Sequence, residues 1–340
     1  MTEFDPDAPS TGDGLFGLPF SPDDAAVVVV PVPFEATASY RRGTSEGPAA
    51  IHEASMQVDL WDLETGDAWR AGIAAEPPDE RFAAWNEAAS ALALQVIAHA
   101  SDGGHDEDAA LTAEVDAIMT QMNALVREKT ARILDRGAIP AIVGGDHSVP
   151  FGAIQAAAEK YPGLGVLHVD AHADLREAYE GFTWSHASIL YNVVQRIPGV
   201  SKVVQVGIRD VGARERAFTE ESPKIDTWYH PDVTWRLAGG ETWRHLVDRM
   251  LAPLPKHVWV TFDIDGLDPS LCPNTGTPVP GGLSWAEATA LLRCLVDAGH
   301  VIVGFDLNEV APGDDDWDAI VGARLLYKLA GWSIRSRTST

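Results

Sequence analysis

The sequence predicts an α/β protein built on a parallel sheet that helices cover on both faces. Short β-branched apolar runs alternate with amphipathic stretches from about residue 138 onward in a chain of 340 residues. Strands separated by helices form right-handed βαβ units, and such strands run parallel and lie buried on both faces. Acids and histidines gather where several of these apolar runs stop, the edge at which open parallel sheets bind ligands. Hydrophobic residues make up 46% of the chain, which supports a large core.

Residues 1–22 are rich in Asp, Pro, Gly and Ser and read as a flexible or wrapping arm. AAVVVVPVPF (25–34) is the first strand, closed by prolines. RRGTSEGPAAI (41–51) is a glycine-punctuated loop entering a helix, with Pro48 suited to its first turn. Residues 62–106 form an insertion: a polar, Trp-bearing segment and then an Ala-rich helix, which could serve as a lid or as a subunit contact. SDGGHDEDA (101–109) breaks that helix before EVDAIMTQMNALVREKTARIL starts the next. Strands then follow at AIPAIVGG, GLGVLHVD, KVVQVGI, a short KIDTWYH, HVWVTFDID and VIVGFDLNEV. Helices follow them at 150–160, HASILYNVVQRI, ARERAFTEE, ETWRHLVDRML, SWAEATALLRCLVDAG and WDAIVGARLLYKLAGW. There is no repeat and no linker, so residues 23–340 read as one domain.

The charge balance excludes some functions. With 25 basic and 50 acidic residues the formal charge is −25, which argues against nucleic acid and suits a small cationic substrate. The same acidity would also fit a salty cytoplasm. Cys272 and Cys294 form no C-x-x-C pair, so neither a disulfide framework nor a zinc finger is expected, and a reducing cytoplasm is the simplest location. The first residues lack a basic start and an apolar run, so no secretory signal is expected, and Ala25–Val32 is too short to span a bilayer.

The chemistry sits at four strand ends. One is followed by Asp146, His147 and Ser148; the others end in H-V-D-A-H-A-D (168–174), D-I-D (263–265) and N-E (308–309). In extended chain, residues two apart share a face, so Asp170, His172 and Asp174 point one way, as do Asp263 and Asp265. A lone D-x-D at a strand end is more often a turn or a helix cap, and a lone histidine more often a core residue. Here four carboxylates and two imidazoles would converge, which needs compensating positive charge. Divalent cations supply it, and an oxygen-rich set with few imidazoles favours manganese before zinc, with nickel an alternative.

GGDHS (144–148), DAHAD (170–174), SHAS (185–188) and FDIDGLDPS (262–270), with GTSEGPAAI (43–51) upstream, are similar to the motifs of the ureohydrolase (arginase/agmatinase) family. The resemblance runs from about residue 25 to 331 and is nearer to agmatinase-like members than to true arginase. It implies an arginase-like three-layer α/β/α sandwich with a mostly parallel central sheet, trimers or hexamers, and two manganese ions per subunit. It further implies that His147, Asp170, Asp174 and Asp263 hold one metal. His172, Asp170, Asp263 and Asp265 would hold the other, with Asp170 and Asp263 bridging. By the same resemblance His186 shuttles protons and Glu309 anchors the guanidinium; the chemistry then has Asp174 orient the attacking hydroxide and Asp265 supply the proton to the leaving amine.

The substrate pocket departs from both familiar patterns. GIRD (207–210) resembles arginases, but the acid expected two residues on is Gly212. The loop LREAYEGFTWSHAS (175–188) offers Arg176, Glu177, Tyr179, Glu180 and Trp184 in place of small polar residues, which disfavours free arginine. Agmatinases usually show SHG where this chain has SHA, and APGDDDWDAI (311–320) replaces the usual run near Trp317. Asp210, Trp184 and Trp317 are therefore the candidate pocket residues, the tryptophans as core or contact residues or as an aromatic wall that shortens the pocket. The expected reaction is hydrolysis of a guanidino compound to urea and an amine. Agmatine is the first candidate; guanidine or a short guanidino acid, with nickel, is the alternative. A deacetylase-like amidohydrolase would need fewer aspartates, and a non-catalytic scaffold would be expected to have lost a ligand.

Overall fold

The computed structural model describes residues 4–8, 10, 12–101 and 108–338. Among these, the sheet has eight strands: β1 (Val27–Val32), β2 (Ile73–Ala75), β3 (Ile139–Gly144), β4 (Leu164–Val169), β5 (Val200–Val206), β6 (Ile225–Trp228), β7 (His257–Asp263) and β8 (Val301–Asn308). Their order across the sheet is β2-β1-β3-β8-β7-β4-β5-β6, and every pairing is parallel. β3 and β4 follow one another in the chain but are separated in space by β7 and β8, which arrive last.

Strand alternation divides the apolar residues between two cores. Val27 and Val29 of β1 and Val258 and Val260 of β7 face one side, whereas Val28, Val30 and Trp259 face the other. On the first face lie α1 (Gly47–Ser55), α7 (His230–Ala238), α8 (Trp243–Leu251), α9 (Trp285–Asp297) and α10 (Trp317–Thr338). On the second lie α2 (Glu80–Ser101), α3 (Ala109–Asp135), α4 (Phe151–Lys160) and α5 (Ile189–Arg196), with α6 (Ala213–Glu221) touching the same core through Phe218. The result is the three-layer α/β/α sandwich expected from the sequence. Proline inside β1 is tolerated for a local reason. Pro31 follows Val27 and Val29 on the edge facing β2, and β2 pairs no further than Val29, so the missing N–H breaks no ladder bond.

Two elements were not foreseen. β2 is only Ile73–Ala75, and α7 (HPDVTWRLA) lies mostly in a stretch to which the sequence assigned no element. The helix of the 62–106 insertion is α2, whose buried Phe82, Ala89, Ala93 and Val96 form a stripe at helical spacing. The break expected at 101–109 falls mostly on residues 102–107, outside the described residues. Ahead of β1, Leu15, Phe16 and Leu18 are buried; the Phe16 N–H donates to Ser55 Oγ at 2.9 Å, and its ring lies 4.9 Å from that of Tyr327 in α10. Among the described residues no helix is long and apolar enough to cross a membrane.

Candidate metal centre

The four strands that carry the acids and histidines, β3, β8, β7 and β4, are neighbours in the middle of the sheet. They also end level. Val143 of β3 pairs with Leu307 of β8, Leu307 with Phe262 of β7, and Phe262 with Val169 of β4. Gly144, Asn308, Asp263 and Asp170 therefore start their loops side by side. Two glycines allow the loops to crowd together. A Cβ on Gly145 would strike the Phe34 carbonyl, and one on Gly266 would come within 2.7 Å of the Asp170 nitrogen.

The predicted ligand atoms meet in two groups. Around His147 Nδ1 lie Asp170 Oδ2 at 3.0 Å, Asp174 Oδ2 at 3.3 Å and Asp263 Oδ2 at 3.4 Å. Around His172 Nδ1 lie Asp265 Oδ2 at 3.0 Å and Asp170 Oδ1 at 3.5 Å. Asp170 thus turns one oxygen to each group. Asp263, the other carboxylate expected to bridge, sides with His147; its Oδ1 accepts the N–H of Asp265 at 2.8 Å. The orientation of His147 is set from below. Thr261 gives its hydroxyl proton to Asp306 Oδ1 at 2.7 Å, so its oxygen accepts from His147 Nε2–H at 2.9 Å and leaves Nδ1 toward the carboxylates.

These groups stand in an uncompensated negative field. Asp170, Asp174, Asp263 and Asp265 are 0%, 5%, 4% and 2% exposed, and desolvating an ion costs several kcal/mol. Burial, then repulsion from Asp170, pushes Asp174 up to about 7. Burial, then Asp265 and Asp170, lifts Asp263 well above the ordinary carboxylate range. Burial opposes charge on His172, yet Asp265 and Asp170 draw it up to about 12, and the carboxylates around His147 raise that imidazole as well. The cluster demands positive charge. Protons on the histidines are one source, and the all-nitrogen-and-oxygen donor set fits divalent cations equally well.

Above the groups opens a cavity of about 220 Å³ lined by His147, His172, Asp174, Asp263, His186 and Glu309, with Tyr179 and Glu215 also in its wall and the exposed Tyr40, Arg176 and Asp210 at its mouth. Glu309 is fixed on one side: its Oε1 accepts the His147 N–H at 3.0 Å. Its φ of 63° and the 53° of Asp174 put both in the left-handed region, a strain of about 1–3 kcal/mol each that is typical of functional positions. His186 lies in the cavity wall, 3.5 Å from Thr37 Oγ1 and edge-on to the Tyr179 ring at 6.0 Å. Burial, then the charges of His172 and His147, lowers it to about 4.

The remaining pocket predictions divide. Asp210 lines the cavity as expected, beside His172 through a parallel bridge. Trp184 does not: its ring lies 4.8 Å from that of Phe151, its Nε1–H donates to Thr120 Oγ1 at 3.1 Å, and Arg196 covers its face. Trp317 does not either; it begins α10, donates to the Ser270 carbonyl at 2.9 Å and is 43% exposed. No described residue of the 62–106 insertion lines the cavity. Sequence reasoning passed over His168, Thr261, Asp306 and Glu215. His168 and Asp170 are two apart on one strand face, and that spacing alone could have flagged the histidine. Glu215 holds the loop edges together, accepting from the Leu175 N–H at 3.0 Å and the Gly212 N–H at 2.8 Å.

Fold and site together define a class: a parallel α/β protein with a carboxylate and imidazole cluster, able to hold metal ions, at the carboxyl ends of its central strands. The profile of the arginase family matches residues 25–331. N(1)-aminopropylagmatine ureohydrolase of Thermus thermophilus is 32% identical over 319 residues, covering 93% of this chain and 94% of that protein. Guanidinobutyrase of Pseudomonas aeruginosa is 28% identical, covering 90% and 85%. The crystal structure of a hypothetical agmatinase from Burkholderia thailandensis superposes with a TM-score of 0.71 at 27% identity, over 96% of this chain and 92% of that one. The chain belongs to the arginase family, on its agmatinase-like side, and is a ureohydrolase, a hydrolase of C–N bonds in linear amidines.

Proposed function

We propose that this enzyme releases urea from agmatine, using two divalent cations per subunit, manganese first and nickel as the alternative. The observation that carries the reading is the opening of both donor groups, together with Glu309, into one small cavity. His147, Asp170, Asp174 and Asp263 would hold one cation, and His172, Asp170, Asp263 and Asp265 the other. When bound, such ions lower the pKa of a water and polarise the carbon it attacks. Asp174 accepts a hydrogen bond from the attacking water and orients it. Glu309, anchored through Oε1, accepts the guanidinium N–H groups on its other oxygen. The departing amine needs a proton. Asp265, expected to donate it, lies beneath the cavity wall at 2% exposure, so Asp174 is better placed to pass on the proton taken from water. His186, in the cavity wall, relays protons between this group and the solvent at the mouth.

The tail decides the substrate. At the mouth the Asp210 carboxylate has no cationic partner among the described residues and suits an ammonium such as that of agmatine. A second reading rests on Arg176, which also lines the cavity, 3.6 Å from Glu215, and would suit the carboxylate of a short guanidino acid. A cytoplasmic enzyme is proposed from its two isolated cysteines, and a homotrimer or homohexamer from the family resemblance; sedimentation checks the assembly. Urea release should be measured over agmatine, 4-guanidinobutyrate, arginine and guanidine, with protein loaded separately with Mn²⁺ and Ni²⁺. Agmatine should be preferred. Preference for 4-guanidinobutyrate would select the second reading, and no urea from any substrate with both metals loaded would overturn both.

A further inference from the structure

One level below the metal centre, a row of polar side chains crosses the sheet. Ladder pairing aligns Asp306 of β8, Thr261 of β7, His168 of β4, Gln205 of β5 and Thr227 of β6. The first four are 0% exposed, and polar groups that deep persist only when bonded. The Asp306–Thr261 half orients His147. We propose that the other half, Thr227–Gln205–His168, is a positioning device for Asp170, and that His168 is not itself a metal ligand. The inference rests on the metal-centre reading given above.

Proximity alone would allow His168 to be a ligand, because His147, His168, Asp170 and Asp174 offer donor atoms within 4.8 Å of one another. The sense of the hydrogen bonds decides against it. Gln205 Nε2 lies 2.7 Å from the Ala173 carbonyl oxygen, which only accepts, so the amide must present its NH₂ there. Its oxygen then accepts the Thr227 hydroxyl at 2.6 Å, which fits the same orientation. That NH₂ group also lies 3.0 Å from His168 Nδ1, so Nδ1 accepts, and a neutral imidazole accepting at Nδ1 carries its proton on Nε2. Nε2–H then donates to Asp170 Oδ2 at 2.8 Å. A nitrogen that holds a proton has no lone pair for a metal.

The consequence falls on Asp170. Its Oδ2 accepts from His168, and its Oδ1 accepts the backbone N–H of His172 at 2.6 Å. Each oxygen gives one lone pair to a protein donor and keeps another for one of the two donor groups. Clamped on both sides, the carboxylate is held open as a bridge and kept from turning both oxygens to one ion.

The tautomer can be read directly in metal-free protein by NMR after labelling the histidine ring nitrogens. His168 should show a protonated Nε2 and an unprotonated Nδ1; the reverse would overturn the proposal. Calorimetric titration with Mn²⁺ supplies the second reading. Gln205→Leu and His168→Leu should each weaken Mn²⁺ binding roughly ten- to a hundredfold while two ions still bind. His168→Gln, which restores an N–H donor, should recover most of the affinity. Loss of one of two ions in His168→Leu would make His168 a ligand, and unchanged affinity with a lower melting temperature would make the row merely structural; either result overturns the proposal. Failure of the unmodified protein to bind Mn²⁺ would remove the metal centre itself and the proposal with it, whereas a wrong tautomer leaves the centre standing.

Discussion

The floor of the cavity and its mouth are built from different materials. The floor stands on β3, β8, β7 and β4, whose ends are level, whose carboxylates are almost fully buried, and where Thr261 of a polar row across the sheet orients the His147 ring. The mouth is made of loops, 175–185 and 207–212, where the Arg176 side chain is 46% exposed and Asp210 is exposed to solvent. A packed sheet allows ligand atoms little freedom, whereas loops on a rigid scaffold can change without disturbing it. On the proposed function, reaction type resides at the strand ends and substrate choice in the loops. This division agrees with relatives that share the fold but carry names with different substrates.

Substitutions on the two sides should separate cleanly. The largest effect belongs to the floor: Asp170→Asn, or removal of metal by a chelator, should abolish urea release, and Mn²⁺ should restore activity only to the chelated enzyme. His186→Ala, in the wall between floor and mouth, should lower kcat by roughly 10²–10⁴ while metal content measured by atomic emission stays unchanged. Thr261→Val should leave the protein folded but weaken Mn²⁺ binding by about ten- to a hundredfold, since His147 loses the acceptor that fixes its ring. At the mouth, Asp210→Asn should raise KM for agmatine by about tenfold, near 1.4 kcal/mol, and leave guanidine turnover unchanged. If Arg176→Ala gives that result with a guanidino acid instead, the tail preference is reversed. The smallest effect is expected at Trp317→Ala, where kcat and KM should stay within about twofold because the ring lies outside the cavity.

The same division explains what could be read before the fold was known. The long apolar strands announced themselves by composition, and D-x-H-x-D at 170–174 flagged its donors by spacing, although the segment is not extended: β4 ends at Val169, Asp174 has a φ of 53°, and His172 faces the second group. β2 was invisible because three residues carry no pattern. α7 was hidden because its inward face is only buried Val233 and half-buried Leu237, too short a stripe to read. The polar row could not be seen either. Gln205 and Thr227 are ordinary strand residues until the register sets them beside His168. Trp184 and Trp317 misled for the opposite reason: each is near the motifs in sequence, but packing on Phe151 and bonding to Ser270 turn them away from the cavity.

The central claim is that six residues from the ends of neighbouring central strands hold two cations that a guanidino substrate meets. Metal stoichiometry tests it most directly, by equilibrium dialysis against Mn²⁺ for the unmodified enzyme and for Asp170→Asn. The account predicts two ions per chain in the first and disruption of both sites in the second, because Asp170 turns one oxygen to each group. Two tightly held ions persisting in Asp170→Asn, or none in the unmodified enzyme, would contradict it.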